Sequence, residues 1–198
     1  AFLYFEFFYL SVMPVWWCSV VTLFIAGVYF GLYQVIQKRN PTATSKVIAT
    51  YSIGTIAFVA AAIEVQFSNF LTVALWGAEA VGVLWIARRT SQTYLERVAM
   101  VLLAIAVFRL FILPDTFSYR PISDFTPIFN LRTVAFLSLT VSLFITALWR
   151  QQSAPTTATL LNYAWALLAF MLLTVEVNDF FLKREALLNE RLDFSRST

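Results

Sequence analysis

Apolar runs recur along this chain with short polar connections between them, and most approach the ~20 residues needed to cross a bilayer as a helix. The runs predict a partial helix over 1–10 and full spans over 15–36, 47–67, 71–86, 98–113, 131–149 and 160–181. The expected architecture is all-α: a polytopic integral membrane bundle of six full transmembrane helices plus one partial N-terminal helix, with residues 1–198 forming a single transmembrane domain. The opening AFLYFEFFYL is too short to span alone, carries Glu6 and lacks an initiator Met. It reads as the outer part of a helix, and the chain as a fragment of a longer protein. Met13-Pro14 makes a turn, and Trp16 and Trp17 stand where interfacial aromatics belong.

The polar connections set a direction. QKRNPTATSK (37–46), ARRTSQTYLER (87–97) and RQQSAPTTAT (150–159) carry Lys38, Arg39, Lys46, Arg88, Arg89, Arg97 and Arg150. The loops on the opposite side carry only Arg120, although the charged tail adds Lys183, Arg184, Arg191 and Arg196. Counted over short loops, the excess of Lys and Arg puts the basic set in the cytoplasm and the C-terminal tail outside. The longest connection, 114–130, holds Pro114, Pro121 and Pro127 and the aromatics Phe117, Tyr119, Phe125 and Phe129. It cannot be one continuous helix, and its aromatics place it on or in the interface. The tail after 181 reads as a helical extension into water.

The run LTVALWGAEAVGVLWIARR (71–89) carries the sharpest local signal. Ala74, Ala78 and Gly82 recur every fourth residue, which puts three small side chains on one face where a neighbouring helix can come close. Glu79 sits beside that face. A carboxylate in the middle of a span is tolerated where it meets protein or water, and such acids mark ion or substrate pathways. Trp76, one turn earlier, reads as packing.

Glu79 belongs to a layer. At ~1.5 Å per residue, Glu64 and Arg109 lie roughly 5–6 Å inside their outer helix ends, Glu176 about 8 Å, and Glu79 about 12–14 Å. Arg132 and Asp179 are placed nearer the surface. All these charges fall in the outer half, and the acids exceed the bases. An excess of carboxylates in a low dielectric is relieved by protonation or a bound cation. That is one reading: an outward-facing polar cavity with Glu79, Arg109, Glu64, Glu176 and Arg132 as its substrate- or ion-binding residues. The other is structural. Arg109 with Glu64 or Glu176 fixes helix register, and charges near helix ends snorkel to the interface. AAIEVQFSNF (61–70) and LLTVEVNDFF (172–181) share an acid–Val pair at equivalent helix ends, a faint internal repeat of the kind seen in duplicated two-helix hairpins.

Composition narrows the chemistry. The chain is 60% hydrophobic and 13% charged, against ~45–50% and ~25% for a soluble domain, and its mean hydropathy is +0.76. There is no His, and Cys18 is the single cysteine. That removes the commonest general base, His-based metal sites, Cys-based clusters and any internal disulfide. Five glycines, scattered through helices, make no phosphate loop. No metal or cofactor is expected, enzymatic activity is disfavoured, and the net charge of +3 sits at helix ends, so it does not argue for nucleic acid. The expected partners are the lipid bilayer and other membrane subunits or missing segments of the same chain.

Trp76-x-x-Glu79-Ala80 followed by Arg88-Arg89, Arg109 before an aromatic loop, Asn130-x-Arg132 opening the next helix, and Glu176 near the end of a later span resemble a family of large bacterial predicted membrane proteins, domain of unknown function 2339. The resemblance covers about 47–181. It implies a longer multi-pass protein of the bacterial inner membrane and no defined activity. Two functions follow as expectations: transport-type handling of an ion or an envelope-related polar or lipid substrate, or service as a non-catalytic membrane subunit or scaffold.

Overall fold

The computed structural model of the protein describes residues 15–39, 45–67, 69–119 and 121–197. They form six α-helices, α1 (Val15–Arg39), α2 (Ser45–Gln66), α3 (Phe70–Thr90), α4 (Thr93–Ile112), α5 (Leu131–Arg150) and α6 (Pro155–Ser197), with one short 3-10 turn at Ile122–Asp124. No strand occurs among the described residues. The partial helix expected over 1–10, with Glu6, lies outside them.

Five of the six helices, α1, α2, α3, α5 and α6, are long and apolar enough to cross a membrane. The expectation of six full spans plus a partial one is therefore corrected at α4. Glu96, Arg97 and Arg109 lie inside this 20-residue helix, and the run expected to span, 98–113, is short of the ~20 residues required. Glu96 and Arg97, expected in the loop before it, lie in its first turn and a half.

Local sequence explains most of the boundaries. Ser91, in the left-handed conformation at φ 54°, closes α3, and the Gln92 N–H returns to the Ala87 carbonyl at 3.0 Å, so α4 starts two residues later. Asn130 caps α5, its Oδ1 accepting the Thr133 N–H at 2.8 Å, which satisfies one of the orphan donors of a helix start. Pro155 opens α6, because a first-turn residue needs no N–H. That converts most of the expected polar turn 150–159 into helix. α6 then runs unbroken for 43 residues, so the last span and the tail are one element.

Consecutive helices pair as three hairpins, α1–α2, α3–α4 and α5–α6, and a broad α3–α5 interface joins the last two. Within their apolar stretches, α3 and α5 are 44% and 50% buried, whereas α1 and α2 are 11% and 6%. The core lies between α3, α4, α5 and α6, around Val73, Ala106, Leu110, Phe136 and Leu139, none of which is exposed to solvent. α1 leaves Leu23, Phe24, Phe30 and Val35 uncovered, and α2 leaves Val47 and Ile53. Their mutual contact is close: a Cβ added at Gly54 would run into the Tyr29 ring.

The α3–α5 contact departs from the small-residue stripe read in the sequence. Ala74 is buried, and its carbonyl accepts the Ser138 hydroxyl at 2.7 Å. The second close approach is at Gly77, where a Cβ would stand 3.1 Å from Leu139 and 3.2 Å from the Ser142 hydroxyl. Ala78 and Gly82 are exposed, and a Cβ at Gly82 would meet nothing within 4 Å. The interface follows the i, i+3 ridge of α3, where the facing serines of α5 supply the hydrogen bond, and leaves the i+4 row open.

Candidate functional site

At one end of the bundle, the 114–130 connection folds over the start of α5 and the middle of α6. Arg132, in the first turn of α5, is completely buried, and so is Asp179. Its two terminal nitrogens serve different acids: Nη2 donates to Glu176 Oε1 at 2.9 Å and Nη1 to Asp179 Oδ2 at 2.6 Å. The guanidinium also lies 5.6 Å from the Tyr119 ring centre and 5.7 Å from that of Phe125. Glu176 and Asp179 are three residues apart on α6, so one helix face presents both carboxylates to one arginine.

One cation against two carboxylates leaves a negative charge, and the connection supplies donors to meet it. Glu176 Oε1 also accepts from Asn130 Nδ2 at 3.0 Å and lies 3.0 Å from the Thr133 hydroxyl, while Oε2 accepts the Ile128 N–H at 3.0 Å. Asp179 Oδ2 accepts the Tyr119 N–H at 3.1 Å. Lys183, one turn further along α6, donates to the Phe125 carbonyl at 2.6 Å. Buried charge is stable only when paired and hydrogen-bonded in this way. Within the cluster, Arg132 Nε has no hydrogen-bond partner.

A second pair lies between α2 and α4. Arg109 Nη2 meets Glu64 Oε1 at 2.7 Å, with both side chains more than a third exposed. The structure thus joins Glu64 with Arg109 and Glu176 with Arg132, and brings Asp179 into the second group. Glu79 joins neither. It is half-buried on α3, its Oε2 is shielded, and among the described residues that oxygen has no hydrogen-bond partner. Trp76, one turn before it, packs as expected and donates its indole N–H to the Ala60 carbonyl of α2 at 3.0 Å.

Arg132 and Asp179, expected near the outer membrane boundary, are both fully buried within the protein because the connection closes over them. Phe125 is wholly buried, whereas Ile128 and Phe129 are 65% and 85% exposed, so the loop divides its apolar residues between the cluster and the surroundings. Asn130, Thr133, Tyr119 and Lys183 were not singled out as site residues. Asn130 had a readable signal, as a capping residue just before a helix. The backbone donors of Tyr119 and Ile128 had none, because a loop N–H carries no side-chain signature.

The opposite end gathers Arg88, Arg89, Arg97 and Arg150. Arg150 pairs with Glu96 at 3.0 Å and Arg88 donates to the Trp149 carbonyl, tying the end of α5 to α4 and α3. Set against known protein families, curated proteins and solved structures, the chain shows no significant match.

Proposed function

We propose that this chain is a non-catalytic membrane subunit or scaffold that works within a larger assembly. The observation that carries this reading is that both carboxylates of the buried cluster, and both terminal nitrogens of Arg132, are already engaged within the chain. They bond to each other and to the 114–130 connection, which suits a fixed joint and leaves little for a substrate. The thin cover on α1 and α2 supports the same reading, since their apolar faces remain available to lipid or to a neighbouring subunit. The positive-inside rule favours an orientation with the arginine-rich end in the cytoplasm and the buried cluster and the tail outside. Placement in a bacterial inner membrane, as part of a longer protein of the domain of unknown function 2339 type, is an extension of this proposal and rests on the short motifs around Glu79, Arg109 and Arg132.

A second reading, transport through an outward-facing site, is favoured by Glu79, whose shielded oxygen lacks a donor among the described residues. Two measurements separate the readings. Mild solubilisation followed by native electrophoresis is expected to show the chain in a species larger than the micelle-bound monomer. A proteoliposome assay of proton or cation flux is expected to show no difference between the native protein and Glu79→Gln. A monomer whose flux depends on Glu79 would reverse the order of the two readings.

A further inference from the structure

The turn between α5 and α6 closes a polar pocket against the end of α3. Its lining is Arg88 from α3, Leu148 and Trp149 from the last turn of α5, and Gln151, Gln152 and Ser153 from the turn. No acid is among these residues. Gln151, Gln152 and Ser153 are exposed, and each carries a side-chain N–H or O–H donor.

Arg88 is held in this wall by its neighbour. Its Nη1 donates to the Trp149 carbonyl, and the guanidinium carbon stands 5.6 Å from the centre of the Trp149 ring. That tie uses one nitrogen and fixes the plane of the group. It leaves Nε and Nη2, whose N–H groups run parallel along one edge and match two oxygens of a phosphate. Arg88 has no ion-pair partner among the described residues, and Glu96, the acid at this end of the bundle, is taken by Arg150 at 3.0 Å. A fixed cation, three further donor side chains and no acid make a cradle for an anion. Arg89, the next residue, does not line the pocket; its guanidinium lies 4.2 Å from the centre of the Trp85 ring instead.

We propose that this pocket binds a phosphate group, with Arg88 holding two of its oxygens and the α5–α6 turn donating to the others. The site is independent of the scaffold reading. Leu148, 52% exposed, forms an apolar edge of the pocket, so the phosphate of an anionic lipid fits here with its chains beside the bundle. A phosphate from solution would use the same donors. Basic pockets between membrane helices on the cytoplasmic side hold lipid headgroups, and the orientation proposed above puts this end there.

The test uses the full chain in maltoside micelles. One arm adds phosphatidylglycerol and counts retained lipid by native mass spectrometry; the other adds inorganic phosphate and follows its binding by phosphorus NMR. Arg88→Gln, Gln152→Glu and Arg89→Gln each lower the net charge by one, and only the first two change the pocket. Those two are expected to weaken binding about tenfold or more, the size of a lost hydrogen bond to a charged group. Arg89→Gln is expected to stay within about fivefold of the native protein, the size of a general surface-charge effect. Gln152→Glu leaves the tie between Arg88 and Trp149 in place, so a loss there is not a loss of folding. Phosphatidylglycerol following this pattern, with no binding of inorganic phosphate, assigns a lipid headgroup; inorganic phosphate following it assigns a phosphate taken from solution. Equal losses in all three variants would reduce the effect to net charge and overturn the site, as would absence of binding in both arms.

Discussion

Ile128 donates its backbone N–H to the Glu176 carboxylate from a left-handed conformation, φ 68°, that a β-branched side chain rarely adopts. Its side chain is 65% exposed, so packing does not hold it there; the charged acceptor does. A residue held in such a region costs about 1–3 kcal/mol, of the same order as a hydrogen bond to a charged group. Ile128→Asn, which tolerates φ > 0 and keeps the N–H, is expected to stabilise the protein by about 1 kcal/mol. Ile128→Pro removes the donor and, with φ fixed at about −65°, also forbids the observed backbone, so it is expected to destabilise by more than the hydrogen bond alone, which is worth about 1–3 kcal/mol. Reversible unfolding in mixed micelles measures both, and a stability loss in the Asn variant would remove strain as the explanation.

Arg132 reaches two acids with two different nitrogens, and Lys cannot reproduce that geometry. Arg132→Lys and Arg132→Ala are each expected to destabilise by about 3–5 kcal/mol, because buried carboxylates lose their partner. Replacing Arg132, Glu176 and Asp179 together by Met, Leu and Leu removes the uncompensated charge. That triple variant is expected to recover part of the loss and still fall below the native protein, since the Tyr119 and Ile128 N–H groups lose their acceptors. Full recovery in equilibrium unfolding would mean that the loop donors contribute nothing.

Part of this cluster is legible in the sequence. Helical spacing puts Glu176 and Asp179 on one face, and Arg132 opens a helix behind a capping Asn130. Burial is not legible. Counting residues from a helix end gives a position along the helix and says nothing of what packs over it, and here a proline-broken connection folds back and buries both Arg132 and Asp179. The same limit explains α4: hydropathy isolates the run 98–113, but helix continues through Tyr94, Glu96 and Arg97, because backbone hydrogen bonding does not stop where polarity begins. The small-residue stripe failed for a related reason. Spacing shows which residues share a face and is silent on which face meets a partner; Ser138 and Ser142 on α5 decided that.

Gly77 and Gly82 give the direct check on the α3 interface. A Cβ at Gly77 would press on Leu139 and Ser142, whereas one at Gly82 is free. Gly77→Leu is expected to cost about 1–3 kcal/mol through overpacking, and Gly82→Leu to leave the isolated chain unchanged or slightly more stable. Equal losses in an unfolding assay would contradict the packing described. A loss of assembly in Gly82→Leu without loss of stability would place the partner on the open row of α3.

The half-exposed pair Glu64–Arg109 is expected to differ in kind from the buried cluster. With both side chains more than a third exposed, a double-mutant cycle with Glu64→Gln and Arg109→Gln is expected to give a coupling of about 1 kcal/mol or less. A coupling of several kcal/mol would make this pair a structural joint equal to Arg132–Glu176.

Glu79 separates stability from function most sharply. A shielded carboxylate oxygen without a donor is unfavourable, and removing a buried unsatisfied polar group regains about 1–3 kcal/mol. Glu79→Met, close in length and apolar, is therefore expected to raise the unfolding free energy of the isolated chain. If Glu79 exists to meet a donor on a neighbouring subunit, the same variant is expected to weaken the larger species on native electrophoresis while the monomer becomes more stable. Those opposite changes in one variant distinguish a residue kept for association from one kept for folding. A fall in monomer stability would mean that Glu79 is already satisfied within its own bundle, and the association role would be withdrawn.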